Sequence, residues 1–457
     1  MEAELLEWCK KLIAFPSVTA DGTRGIAEFC AAQMLAPRGM AARIIPSDVH
    51  GDGNVNLISV VNGRDPGAIP FVFNTHLDTV PPGDPALWTA CEGKPLEPRV
   101  QGDRIYGLGS ADTKLDFAAK VAALGRGRPK RTVYLIGSFG EERGLLGAKE
   151  MARRGLLPDR ALAYVGEPSG LSVVTAHKGL IVFELTIAFE PARGSRGGLS
   201  RAVFVGRSAH SSTPHLGHNA IKTALAALGA DSDLEVRALS GGDAVNKVAA
   251  HCEVLVSAGG RPLANAQVEE HRGAAPEHRV PRDALGALGD FIAALERFAQ
   301  DSGPPEEDYA SPTLTCNPGL VRSSEPALTL EFELRPPPSL SLDFVRVGVA
   351  ALVDRIQREF PALKFNLCEV RASPGYRASL DSEVVTTAME AQARAGVRVA
   401  HSVKTGCTEA GVYAAAGLLP VVFGPGLSAG NIHAPNEYNL LSEVEAAARF
   451  YSELLDL

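Results

Sequence analysis

Short apolar runs bounded by turn residues alternate with helical patterns through the first 180 residues of the chain. NLISVV, IPFVFNT, TVYLIGSF and ALAYVG read as strands, and LDFAAKVAALG and LLGAKEMARRG, which fall between some of them, as helices. A chain written this way builds a mostly parallel sheet with helices on its faces. The same grammar returns near the end, where PALKFNLCEV, SEVVTTAMEAQARAG, LLPVVFGPG and LSEVEAAARFYSELL read as strand, helix, strand, helix. Between them the texture changes to longer alternating strands, GLIVFELTIAF and ALTLEFELR, with two or three helices. The expected architecture is an α/β domain made of residues 1–179 and 341–457, interrupted by an inserted α+β domain over 180–340. Loops rich in Gly, Pro and charge, such as EPARGSRGG, AGGRPLANAQVEEHRGAAPEHRVPRD and DSGPPEEDYASP, are expected to be surface connections of the insert.

At 457 residues, two domains with a large core are the prior. A net charge of −8 with both signs mixed supplies no basic groove for nucleic acid. The seven cysteines are scattered and never form a CxxC pair, which argues against a disulfide framework and a thiolate zinc site and for a reducing compartment. The opening MEAELLEWCKKLIAFPSV lacks a basic region followed by an apolar block, and no apolar run is long enough for a membrane span. A cytoplasmic protein is expected.

Four of the strand-like runs lead directly into acids or imidazoles. IPFVFNTHLD reaches His76 and Asp78, TVYLIGSFGEE reaches Glu141 and Glu142, ALAYVGEP reaches Glu167, and LPVVFGPGLSAGNIHAPNE reaches His433. Asp112 lies where the glycine-rich turn of IYGLGSADTKLDFAA enters a helix. In an open α/β sheet, ligands bind in the crevice beyond the carboxyl ends of the strands, so these side chains are expected to converge there. Any one of them alone is an ordinary solvated charge; their recurrence after four apolar runs is the signal. Carboxylate oxygens and imidazole nitrogens suit a pair of divalent metals, zinc first, with cobalt or manganese as alternatives. His76, Asp112 and Glu167 are assigned to one ion and Asp112, Glu142 and His433 to the other, leaving Glu141 free for proton transfer. An extended chain at Glu141–Glu142 would point the two carboxylates in different directions.

HLDTVPPGDPALWTACEGKPLEPRVQGDRIYGLGSADTK, GSFGEERGLLGAK, YVGEPSG, GRSAHSSTPHLGHNAI and VVFGPGLSAGNIHAPNEY together resemble the M20 family of metallopeptidases and deacylases. AHKG, TGCTEAGVYAAAGLLPVVFGPG and HAPNE resemble its deacetylase and desuccinylase branch most. The resemblance runs in order along nearly the whole chain. It implies that His76, Asp112, Glu142, Glu167 and His433 are the metal ligands with Asp112 as bridge, that Glu141 is the general base, and that Asp78 orients His76. It further implies a cis peptide bond from Asp112 to Thr113. In the insert, His210 matches a lid histidine that polarises the scissile carbonyl, while His215 and His218 read as loop or helix-cap residues. Asn246 and Arg335 resemble positions that meet the substrate's oxyanion or carboxylate, although an edge-strand arginine facing water is an alternative for Arg335. Glu409 matches a position near the metals that would sense a substrate amine. Leu115 and Ala249 depart from the usual glycine and proline without removing a ligand. A homodimer is expected, with lids paired edge to edge and His210 serving the partner's site.

The function so implied is hydrolysis of the amide bond of an N-acyl amino acid by activated water. A dipeptidase or carboxypeptidase with the same machinery is the alternative within the enzyme class, and a non-catalytic binding relative the alternative outside it. A serine hydrolase is disfavoured because no G-x-S-x-G elbow follows a strand.

Overall fold

In the computed structural model, which describes residues 2–194, 198–231, 233–257, 263–273, 276–324 and 326–457, the chain divides into two units. The first comprises Met1–His177 and Tyr376–Leu457, and the second Lys178–Gly375.

Among the described residues, the first unit is built on a nine-stranded sheet. Its order is Ala42–Pro46, Val55–Val61, Val133–Ser138, Phe71–His76, Leu162–Gly166, Leu419–Val422, Val173–His177 and Tyr376–Arg377, with His401–Lys404 also pairing beside Val173–His177. The centre is parallel: Phe71–His76 runs parallel to both Val133–Ser138 and Leu162–Gly166, and the latter parallel to Leu419–Val422. Both faces of this centre are covered, which is why its strands are apolar until their carboxyl ends, where Asn74, Thr75, His76 and Ser138 stand buried. Side-chain alternation sorts residues between two cores. Phe71, Phe73 and Leu135 face one that includes the helices Ala3–Ala14, Lys114–Leu124 and Leu441–Leu454, while Val72, Ile136 and Ala163 face another with Leu146–Arg153 and Glu409–Ala415. The register aligns His76 with Ser138 and Thr75 with Gly166, so the carboxyl ends of three parallel strands lie level.

The helix Lys114–Leu124 carries polar groups into the core. Lys120 Nζ lies 2.6 Å from Asp116 Oδ2, with both side chains fully buried. Thr75 Oγ1 and Tyr451 OH donate to the two Asp116 oxygens at 2.6 and 2.7 Å, and Lys120 also donates to the backbone oxygens of Asn74 and Tyr164. The network joins the helix to the strand that ends in His76.

The second unit holds an antiparallel eight-stranded sheet among the described residues. Its order is Ala266–Glu270, Ser200–Val205, His251–Ser257, Glu235–Gly241, Thr315–Ser324, Ala327–Arg335, Leu180–Ala188 and Lys364–Ser373. Helices Ala220–Ala230, Arg282–Asp301 and Leu342–Glu359 share one core with it. The second boundary therefore differs from the expected one at 340/341. Leu342–Glu359 and Lys364–Ser373 belong to the insert, because Lys364–Ser373 pairs with Leu180–Ala188 rather than with the larger sheet. Part of the loop expected after residue 257 is also regular, since Ala266–Glu270 pairs with Ser200–Val205; residues 195–197, 258–262 and 274–275 of the expected loops lie outside the described residues. No helix among the described residues is long and apolar enough to cross a membrane.

Candidate metal centre

His76 is the last residue of its strand, Glu167 follows the strand Leu162–Gly166, and Glu141 and Glu142 lie in a turn after Val133–Ser138. Level strand ends bring these groups together. His76, Glu141 and Glu167 offer donor atoms within 4.8 Å of one another, and so do Asp112, Glu142 and His433. Asp112 joins the two sets: its Oδ1 is 3.1 Å from His76 Nε2 and its Oδ2 is 3.2 Å from His433 Nε2. His433 Nε2 is also 3.1 Å from Glu142, and the backbone at His433 is left-handed, with φ of 55°. The peptide bond from Asp112 to Thr113 is cis. Glu141 and Glu142 are not extended as expected; the two backbone N–H groups of Gly144 and Leu145 both donate to the Glu141 carbonyl, so a turn separates the carboxylates.

Asp78 is fully buried and does more than face His76. The His76 Nδ1 position is 3.0 Å from the Asp78 backbone oxygen and 3.7 Å from its carboxylate. That carboxylate instead accepts the N–H groups of Glu141 and Glu142 at 3.2 and 3.4 Å and the hydroxyl of Thr19 at 2.7 Å. Asp78 thus ties the strand carrying His76 to the turn carrying both glutamates.

Two groups escaped the sequence reading. The buried carboxylate of Glu437 accepts N–H groups from Gly109, Ala111 and Asp112 at 3.1, 2.8 and 2.9 Å, and so holds the turn that presents Asp112. Glu437 closes the HAPNE stretch, where only His433 had been singled out. Lys404 Nζ is 2.7 Å from Glu167 Oε2; nothing in its own neighbourhood, HSVKTG, marks it.

Electrostatics follow from crowding carboxylates in a buried place. Burial and the neighbouring Glu167 push Glu141 well above the usual carboxylate range. Burial alone would lower His433, but its hydrogen bonds to Asp112 and Glu142 dominate and raise it to about 10. Against the same burial effect, Asp112 raises His76 as well. Both rings are thus drawn toward the cationic form by the acids they face. Divalent cations among these oxygens and nitrogens would meet the same demand for positive charge, and the donor set is one that zinc accepts. The residues present fit a metal pair.

Glu409 is buried, with Oε2 accepting the Ser138 hydroxyl at 2.8 Å and Oε1 lacking a hydrogen-bond partner; burial pushes its carboxyl up to about 7. His210, Asn246 and Arg335 belong to the second unit. His210 Nδ1 lies 2.7 Å from the Ser212 hydroxyl and accepts the Ser212 N–H at 3.1 Å. The Asn246 carbonyl accepts the Ser211 N–H, and Asn317 Nδ2 donates to the carbonyls on either side of Asn246, those of Val245 and Lys247. Arg335 does not face water from an edge. It lies on an interior strand, 5% exposed, with Nε 2.6 Å from Glu333, which also accepts the Ser211 hydroxyl. His215 and His218 contact Ser311 and Thr223.

Residues 72–457 match the profile of peptidase family M20/M25/M40. The chain belongs to this family. Its members are metal-dependent hydrolases of amide and peptide bonds, and this chain is a metallohydrolase of that class. Among curated relatives, acetylornithine deacetylase of Photorhabdus laumondii is 30% identical over 308 residues, covering 60% of this chain and 72% of the relative. Succinyl-diaminopimelate desuccinylase of Rhizorhabdus wittichii is 32% identical over 291 residues, covering 59% and 69%. Among solved structures, the aminoacylhistidine dipeptidase of Vibrio alginolyticus shares the fold with a TM-score of 0.69 at 18% identity, covering 99% of this chain and 96% of that one.

Proposed function

We propose that this M20 hydrolase removes the acyl group from an N-acyl amino acid. The observation that carries this reading is the junction at Asp112 of two donor sets, one of which contains Glu141, in a chain whose curated relatives include a deacetylase and a desuccinylase. His76, Asp112 and Glu167 would hold one ion and Asp112, Glu142 and His433 the other. Two divalent ions there, zinc being the best match to the donors, would lower the pKa of water and polarise the amide carbonyl. Glu141 takes a proton from the attacking water and delivers it to the departing nitrogen. His210 is a donor for the carbonyl oxygen as charge develops there. Arg335 and Asn246 are assigned to the substrate's carboxylate and oxyanion. For Arg335 this requires exchanging or sharing its Glu333 partner. Glu409 is assigned to a substrate amine; its unpartnered oxygen supports this role.

The dipeptidase likeness of the fold makes a peptidase the second reading. A panel of N-acetyl and N-succinyl amino acids set against dipeptides, run on zinc- and cobalt-loaded enzyme, separates the two. Acyl amino acids are expected to give the higher kcat/KM; a preference for dipeptides overturns the deacylase assignment.

A further inference from the structure

Lys404 ends the strand His401–Lys404, aligned in parallel with His177 of the neighbouring strand. Its ammonium lies 2.7 Å from Oε2 of Glu167, whose side chain is almost fully enclosed. The same carboxylate lies within reach of the donor atoms of His76 and Glu141. A carboxylate can bind a cation through one oxygen or chelate it through both, and an N⁺–H···O⁻ bond of this length takes one lone pair of Oε2 and sets a positive charge beside the other.

We infer that Lys404 is a positioning residue that restricts Glu167 to a single donor oxygen. Two consequences follow, given the reading of Glu167 as a metal ligand. The ion beside Glu167 is held less tightly than a chelating carboxylate would hold it, and the ammonium's own charge opposes that ion at short range. In return, a coordination position that chelation would fill stays open, which distinguishes a catalytic site from a closed structural one. Orienting partners of ligands change metal affinity by about 10- to 100-fold when removed, commonly by weakening it. Here the sign is reversed, because Lys404 competes for the ligand instead of only orienting it.

The test is zinc titration of the metal-free wild type, Lys404→Met and Lys404→Arg against a chelating dye, with kcat and KM measured on the same proteins after loading. Lys404→Met is expected to bind one of its ions about tenfold more tightly while kcat falls by at least about tenfold. Lys404→Arg keeps the charge and the hydrogen bond and is expected to stay within about threefold of wild type in both. Lys404→Gln, which loses the charge, carries the Met expectation should the Met variant not fold. Equal or weaker zinc binding in the neutral variants overturns the inference, and so does tighter binding with unchanged kcat. Failure of the underlying metal reading is distinguishable: Glu167→Gln would then bind as much zinc as wild type.

Discussion

Glu141 and Glu142 are adjacent in sequence and separable in function. Asp78 accepts both backbone N–H groups, and the turn sends one carboxylate toward His76 and Glu167 and the other toward Asp112 and His433. Glu141→Ala is expected to lower kcat by about 10²- to 10⁴-fold, the usual contribution of a general base, with both ions retained. Glu142→Ala is expected to lose metal along with activity. Elemental analysis of the two purified variants beside their turnover checks the division of labour; metal loss in Glu141→Ala would make it a ligand. The ligand candidates were legible in the sequence because each follows an apolar run or a glycine-rich turn, and strand ends are where a parallel sheet gathers functional groups. Glu437 and Lys404 were not, since they meet Asp112 and Glu167 across 325 and 237 residues and stand in no periodic pattern of their own.

At the scale of elements, the helix Lys114–Leu124 supports the strand ending in His76 through a buried ion pair. In LDFAAK an acid and a lysine four apart look like a solvent-facing pair, and what encloses them is the sheet, through Asn74, Thr75 and Tyr164, together with Tyr451 of the helix Leu441–Leu454. Removing one partner of such a pair leaves an uncompensated charge. Lys120→Met is expected to cost about 3–5 kcal/mol in a denaturant titration, whereas the double change Asp116→Leu with Lys120→Met recovers much of that loss. A single variant as stable as wild type would mean the pair contributes nothing. The same limit explains the displaced domain boundary. The alternation in Lys364–Ser373 fits either sheet, and its partner strand, Leu180–Ala188, lies far back in the chain. The parallel centre was readable because strands buried on both faces are written as largely apolar runs.

For the whole molecule, the expected dimer places His210 in the service of its partner's active site. Trans service with lids paired edge to edge needs an edge that templates pairing. Among the described residues the insert's sheet has two edges: Lys364–Ser373, broken by a bulge between Glu369 and Arg371 and carrying the Arg346–Glu369 ion pair, and the unbroken Ala266–Glu270, to which we assign the pairing. A mixture of His210→Ala and Glu141→Ala proteins is expected to regain activity, because one hybrid site receives both wild-type residues, and the wild type is expected to sediment as a dimer. A wild type that sediments as a single chain, or a mixture that stays inactive after subunit exchange is demonstrated, overturns the trans arrangement. The way the insert is attached has a further consequence. The first unit's chain leaves at His177 and returns at Tyr376, and these two residues are antiparallel partners, with the Tyr376 hydroxyl donating to the Val174 carbonyl at 2.6 Å. Departure and return are thus neighbouring rungs of one ladder, as they would be if only a hairpin turn joined them. In genetic terms the insert is a cassette: recombination at these two codons could lengthen, exchange or delete it while every residue that gathers around Asp112 kept its place in the reading frame and in the sheet.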